Sequence, residues 1–176
     1  IGSRLVGSEM CIRDRDKWSD LMKAITQNFI DQFGTEEVRS WFFEVWNEPD
    51  GWPNDQLDIF YKMYDVFVDA VKSVDSELRV GGPACYHEYF LKSFLNHVTN
   101  GINYVTGKKG TQIDFISYHI YGLSGKWLNK APHIQPQVQR FTLSVLWLQR
   151  LLKLFPSLKG TAFHINEWGL SSNYFR

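Results

Sequence analysis

Trp41-Phe42-Phe43-Glu44-Val45-Trp46-Asn47-Glu48-Pro49 is an apolar, β-prone run that closes on an amide, a carboxylate and a proline. Proline has no N–H to give to a ladder, so the predicted strand stops there and leaves Glu48 at its C-terminal tip. A second stretch repeats the arrangement: Thr161 to Asn166 reads as a strand and leads into Glu167-Trp168-Gly169. Each glutamate is flanked by an amide and an indole, groups suited to holding a sugar. Two carboxylates at the same end of neighbouring parallel strands are the minimum equipment for breaking a glycosidic bond. A single strand-end glutamate is better read as half of an ion pair. Two of them, in Asn-Glu-Pro and Asn-Glu-Trp-Gly contexts, point to chemistry.

The rest of the chain alternates helix and strand. Trp18, Leu21, Met22, Ile25, Phe29 and Phe33 recur at helical spacing, and Gly34 follows as a C-cap. Leu57 to Val74 carries the next amphipathic helical pattern. Leu78-Arg79-Val80 reads as a short strand broken by Gly81-Gly82-Pro83, and His87 to His97 as a helix with Gly101 beyond its end. Ile113 to Ile120 reads as a strand closed by Tyr121-Gly122, and Val138 to Phe155 as a helix stopped before Pro156. Strict alternation implies right-handed crossovers in a parallel sheet. Glu48, Gly82-Pro83, His119 and Glu167 all fall at strand C-termini, where an eightfold β/α barrel keeps its site. No G-x-G-x-x-G follows any strand, which disfavours an open nucleotide-binding sheet. The expected fold is therefore α/β: a partial (β/α)8 barrel of about four consecutive units, corresponding to strands four to seven. Half a barrel leaves two open edges, an aggregation hazard.

Leu5 to Arg15 has no helix or strand period and resembles translated adapter sequence. Residues 1–15 are accordingly read as a non-native leader, and 16–176 as the partial-barrel catalytic domain. Across the 176 residues the formal net charge is zero and no Lys/Arg-rich block occurs, which argues against nucleic acid or an acidic membrane surface as a partner. No apolar run approaches the roughly 18–20 residues of a membrane span. Aromatics make up 16% of the chain, more than a core strictly needs, and exposed rings are what sugar faces stack on. Cys11 and Cys85 have no metal-type spacing, and the five histidines no ligand-like one. Neither H-E-x-x-H nor G-x-S-x-G occurs, so no metal and no cofactor is expected, and the expected partner is a small sugar or oligosaccharide. Compartment and oligomeric state are not assigned.

Strand alternation puts Glu44, Trp46 and Glu48 on one face and Asn47 on the other. Glu44 lies deeper and is expected in a buried salt bridge. For Asn47 and Glu48 both to reach a substrate, the strand must twist or bulge at its end. His119 shares a face with Phe115 and Ser117, and Tyr121 shares its parity; both are read as contacting substrate or the Glu167 carboxylate. His164 alternates out of phase with Glu167 and is read as a wall residue against a helix. Trp168 is a candidate stacking floor. Trp52 and Trp127 are further loop indoles on that side, and Trp18 is read as packing.

At these residues the chain resembles glycoside hydrolase family 39, a family of retaining barrel glycosidases that includes β-xylosidases and α-L-iduronidases. The resemblance covers nearly everything from Asp16 to Tyr174 and is sharpest over Phe42 to Asp50. Gly81-Gly82-Pro83-Ala84, Ser117 to Tyr121 and Ile165 to Gly169 match in order and spacing. It implies Glu48 as general acid/base and Glu167 as nucleophile, with Asn47, His119 and Tyr121 touching substrate or nucleophile. Iduronidases carry a lysine two residues after the strand-end histidine, to meet a uronate carboxylate. Here that place is Tyr121, which implies a neutral sugar, a β-xyloside. Two alternatives stand beside this: an inert truncated barrel or weak sugar-binding module, and a cellulase-like or mannanase-like endo-hydrolase of the same clan.

Overall fold

In the computed structural model, residues 6–122 and 139–169 are described, with the backbone alone for 6–13 and 54. Four parallel strands form one sheet in the order β1-β2-β3-β4: β1 Phe42–Glu44, β2 Arg79–Cys85, β3 Phe115–Tyr121 and β4 Ala162–Gly169. Helix α1 spans Val6–Phe33 and a short α2 Thr35–Arg39; α3 (Leu57–Val74), α4 (Glu88–Asn100) and α5 (Gln139–Leu152) each carry the chain from one strand to the next. This is half of a (β/α)8 barrel, as the alternating pattern predicts.

The sheet is two-faced. Val80, Ile116, Tyr118 and Ile120 point to the helices, where they pack with Phe60, Tyr64 and Phe67 of α3 and Phe90, Leu91, Phe94 and Leu95 of α4. Phe60, Tyr64, Phe90 and Phe94 are fully buried. Each such ring contributes about 2–3 kcal/mol by leaving water. Trp18 and Trp52 pack, partly buried, against this core. The opposite face carries Phe42, Phe115 and His164, with ring centroids 5.2 Å apart for the first pair and 5.0 Å for the second.

A second buried cluster fixes the barrel's lower loops. The Asp65 carboxylate is wholly buried and takes the Thr111 hydroxyl at 2.6 Å and the Tyr104 amide at 2.8 Å. His97 Nε2 lies 3.0 Å from the same carboxylate. A buried charge is tolerable only with such partners.

Of the boundaries that differ from the sequence reading, three have a clear physical reason. Helix α1 is helical from Val6, within the segment read as lacking a period. Once nucleated, a helix gains one hydrogen bond per residue fixed, so it propagates into a stretch with no apolar pattern of its own. Strand β1 ends at Glu44, four residues before Glu48. Strand β2 is not broken by Gly81-Gly82-Pro83 but runs through to Cys85. The reason is close approach: a Cβ on Gly81 would lie 2.2 Å from the Phe115 carbonyl oxygen, so the glycine lets β2 and β3 pair. A register shift between Gly82 and Cys85 accommodates the proline. Trp127 lies outside the described residues.

Candidate active site

Both glutamates stand at the C-terminal end of the sheet, reached by irregular backbone. Beyond β1, Trp46 (φ 70°) and Glu48 (φ 48°) adopt the left-handed conformation, and Ala84 (φ 51°) does the same in β2. These turns supply the twist that strict alternation lacks. Pro49 then opens a single 3-10 turn, Pro49–Gly51, with Glu48 as its N-cap. The Glu48 amide donates to the Ala84 carbonyl at 2.9 Å, tying the β1 exit to β2. Buried Asp50 takes the amides of Tyr86 and His87 at 3.0 and 2.7 Å, which anchors the same loop to the start of α4.

Glu167 is placed by a bulge. β3 and β4 pair in step from Phe115–Ala162 to Tyr118–Ile165, after which His119 pairs with Glu167. Asn166 is the extra residue. It shifts the phase of the strand, so His164, Asn166 and Glu167 can all address the inner face. His164 is therefore not a wall residue against a helix: its ring lies 4.5 Å from Phe42 and 5.0 Å from Phe115 on the inner face.

His119 joins the two carboxylates. Its Nδ1 is 2.9 Å from Glu48 Oε1 and 3.7 Å from Glu167 Oε2. The imidazole is 1% exposed, against 34% for Glu48 and 43% for Glu167, so the carboxylates meet solvent while their linker is sealed beneath them. Ligand-type atoms of all three side chains lie within 4.8 Å of one another. That spacing also admits a divalent cation, a grouping that histidine spacing in the sequence does not reveal. The Tyr121 hydroxyl donates to Glu167 Oε1.

Glu48, His119, Tyr121 and Glu167 thus come together as the sequence predicts. Asn47 is exposed beside Glu48. Trp168 pairs with Ile120 and sets its ring 6.4 Å from Phe141 of α5, on the face away from Glu167. It is not brought under the carboxylates as a floor. Trp46, 54% exposed, stands edge-on to Trp52 at 5.2 Å.

Glu44 is in no salt bridge among the described residues. It accepts from the Ser117 hydroxyl and, at 2.7 Å, from Asn166 Nδ2. Burial raises its pKa, and the Ser117 hydroxyl, the nearby His119 and the Asn166 amide pull it back. Sequence reading gives Ser117 no role beyond sharing a face with His119 and takes Asn166 as an amide suited to a sugar, whereas its Nδ2 donates to Glu44. The parity of Ser117 with His119 is a usable signal for the first, whereas the bulge hides the second.

The model of the family described as glycosyl hydrolases family 39 matches residues 10–174. The chain belongs to this family. The β-xylosidase of Geobacillus stearothermophilus is 38% identical over 126 residues, covering 69% of this chain and 22% of that protein. The human α-L-iduronidase is 31% identical over 165 residues, covering 86% and 23%. Among solved structures, a monomeric β-xylosidase from Caulobacter crescentus superposes with a TM-score of 0.69 at 30% identity, covering 90% of this chain and 32% of that one. A bacterial orthologue of human α-L-iduronidase superposes at 0.81 with 24% identity, a likeness of fold. The chain spans about a quarter of the length of the curated relatives it matches. Membership of family 39 sets aside the reading that placed the chain in another family of the clan.

Proposed function

We propose that this chain is the catalytic segment of a retaining family 39 glycosidase acting on a β-xyloside, with Glu48 as acid/base and Glu167 as nucleophile. The observation that carries the reading is the compact Glu48–His119–Glu167 group. Glu48 and Glu167 bring one oxygen each within 4.8 Å of the other, a close approach that supports the retaining arrangement, in which the carboxyl groups stand about 5–5.5 Å apart. Glu167 attacks the anomeric carbon while the bond to the leaving oxygen breaks and that oxygen takes the Glu48 proton. Glu48, now a carboxylate, removes a proton from water. The water oxygen attacks the anomeric carbon and expels Glu167. Tyr121 fixes the attacking carboxylate in place, and His119, locked under both groups, orients Glu48. Asn47, exposed beside the acid, is within reach of a sugar hydroxyl. Tyr121 standing where iduronidases carry lysine favours a neutral sugar over a uronate.

The activity belongs to a longer polypeptide. Two sheet edges, on β1 and β4, have no neighbour among the described residues, and the match covers only 22% and 23% of two of the relatives. A half barrel alone has one wall of a sugar subsite, so the inert-fragment reading applies to this chain in isolation. The test uses the full-length protein with an aryl β-xyloside. Glu167→Ala is expected to lower kcat by about 10⁴-fold or more. Turnover near the parent rate in that variant would overturn the assignment.

A further inference from the structure

We propose that Glu44, a third carboxylate that takes no part in the two-glutamate chemistry, is the positioning residue that sets the separation of Glu48 and Glu167. The proposal rests on the glycosidase reading for its consequence and on the hydrogen-bond network for its geometry.

One side chain ties four strands together. Glu44 ends β1. Its Oε1 accepts from the hydroxyl of Ser117 on β3, and its Oε2 from the amide of Asn166 on β4 at 2.7 Å. The Ser117 oxygen in turn accepts the Ala84 amide of β2 at 2.8 Å, so its single proton is committed to Glu44. The Ala84 carbonyl then receives the Glu48 amide at 2.9 Å. On one branch, Glu44 reaches the Glu48 backbone through Ser117 and Ala84. On the other, it holds the residue bonded directly to Glu167.

Both branches end on backbone that needs holding. Ala84 and Glu48 are left-handed non-glycine residues, a conformation that persists only when surroundings over-determine it. Asn166 is the extra residue of the β4 bulge, and its inward turn leaves Glu167 opposite His119. Without a partner for the Asn166 amide, the bulge keeps only the ladder to β3 and the Tyr121 hydrogen bond to Glu167. A one-residue slip back into step would move Glu167 to the other face of the sheet. Glu44 clamps the bulge from across the barrel.

The test pairs Glu44→Gln with the exchanged double variant Glu44→Gln/Asn166→Asp in the full-length protein. In Glu44→Gln one acceptor oxygen is left for two donors, so an NH₂ opposes either the Asn166 amide or the Ser117 hydroxyl; in the double variant the donor and acceptor swap sides and the net charge is restored. Glu44→Gln is expected to lower kcat by about 10²-fold with KM within about twofold, because misplacement of about 1 Å costs that much. The double variant is expected to recover at least about tenfold of it. Amide hydrogen exchange at Ala84 and Glu48 is expected to speed about tenfold in Glu44→Gln, with core amides such as Val71 unchanged. A loss confined to KM, no loss, or no recovery in the double variant would overturn the proposal. So would unchanged exchange at Ala84 and Glu48, whether or not the protein turns over a glycoside. Where Glu44→Gln fails to fold, Ser117→Ala and Asn166→Ala each remove one donor and carry the same readouts. Wild-type protein without glycosidase activity but with the exchange coupling intact sinks the glycosidase reading and leaves the positioning role standing.

Discussion

The imidazole of His119 is 1% exposed yet stands 2.9 Å from one glutamate and 3.7 Å from the other. Replacing it with alanine removes a hydrogen bond to a charged group, worth about 1.5–3 kcal/mol. His119→Ala is expected to lower kcat/KM about 10- to 100-fold, read from initial rates on an aryl β-xyloside. Away from the site, Asp114 pairs with Lys72 at 2.7 Å and takes the Val80 amide at 2.9 Å. Burial alone would raise its pKa, but Lys72, Val80 and Gln112 outweigh it and hold it below the ordinary carboxylate value. The folded pKa therefore lies below the unfolded one. The associated stability is fully present above about pH 4 and is lost as pH falls through the folded pKa. Asp114→Asn is expected to lower the melting temperature at neutral pH and to flatten its fall below about pH 4, as followed by circular dichroism. An unaltered acid limb would remove Asp114 from the account. At this scale the sequence was legible where parity held: His119 and Tyr121 both reach Glu167, as strand alternation and the resemblance imply. It was not legible at His164 and Asn166, because a bulge cannot be seen in a single strand's pattern; it exists only relative to the partner strand.

Helices were legible as elements, because an amphipathic face is a local property: Leu57–Val74 has the boundaries its apolar spacing predicts. Strand ends were not. β1 is three residues long where the apolar run suggested more, because the chain leaves the ladder to build the left-handed turns that present Glu48. Gly81-Gly82-Pro83 ends β2 by the rule that such residues stop strands. The rule yields here because Gly81 allows the backbone of β3 to come within a distance no side chain would permit. Gly81→Ala is therefore expected to destabilise the protein by about 2–3 kcal/mol, measured by urea unfolding. A loss under about 0.5 kcal/mol, the size of an ordinary surface substitution, would contradict the close-approach argument.

The molecule is four consecutive β/α units with a polar, carboxylate-bearing inner face and two sheet edges without neighbours among the described residues. Phe42, 45% exposed, lies on that inner face against His164 and Phe115, an apolar surface suited to burial in a closed barrel. Unpaired parallel edges beside such a surface predict that the 176-residue chain alone self-associates, as light scattering after gel filtration would show, and that a longer polypeptide containing it does not. The alternation of elements and the placement of carboxylates at strand ends made this architecture readable, since both follow from how parallel sheets connect. The distance between the two carboxylates was not readable, because it depends on Glu44, Ser117, Ala84 and Asn166 acting across four strands. The central claim, that Glu167 forms a covalent bond to the sugar, is tested most directly by trapping. The full-length protein is incubated with a 2-deoxy-2-fluoro-β-xyloside bearing an activated leaving group, digested, and mapped by mass spectrometry. One fluoroxylosyl adduct is expected, on the peptide containing Glu167 and on that side chain. An adduct on Glu48, or turnover of ordinary xylosides with inversion and no adduct, would contradict it.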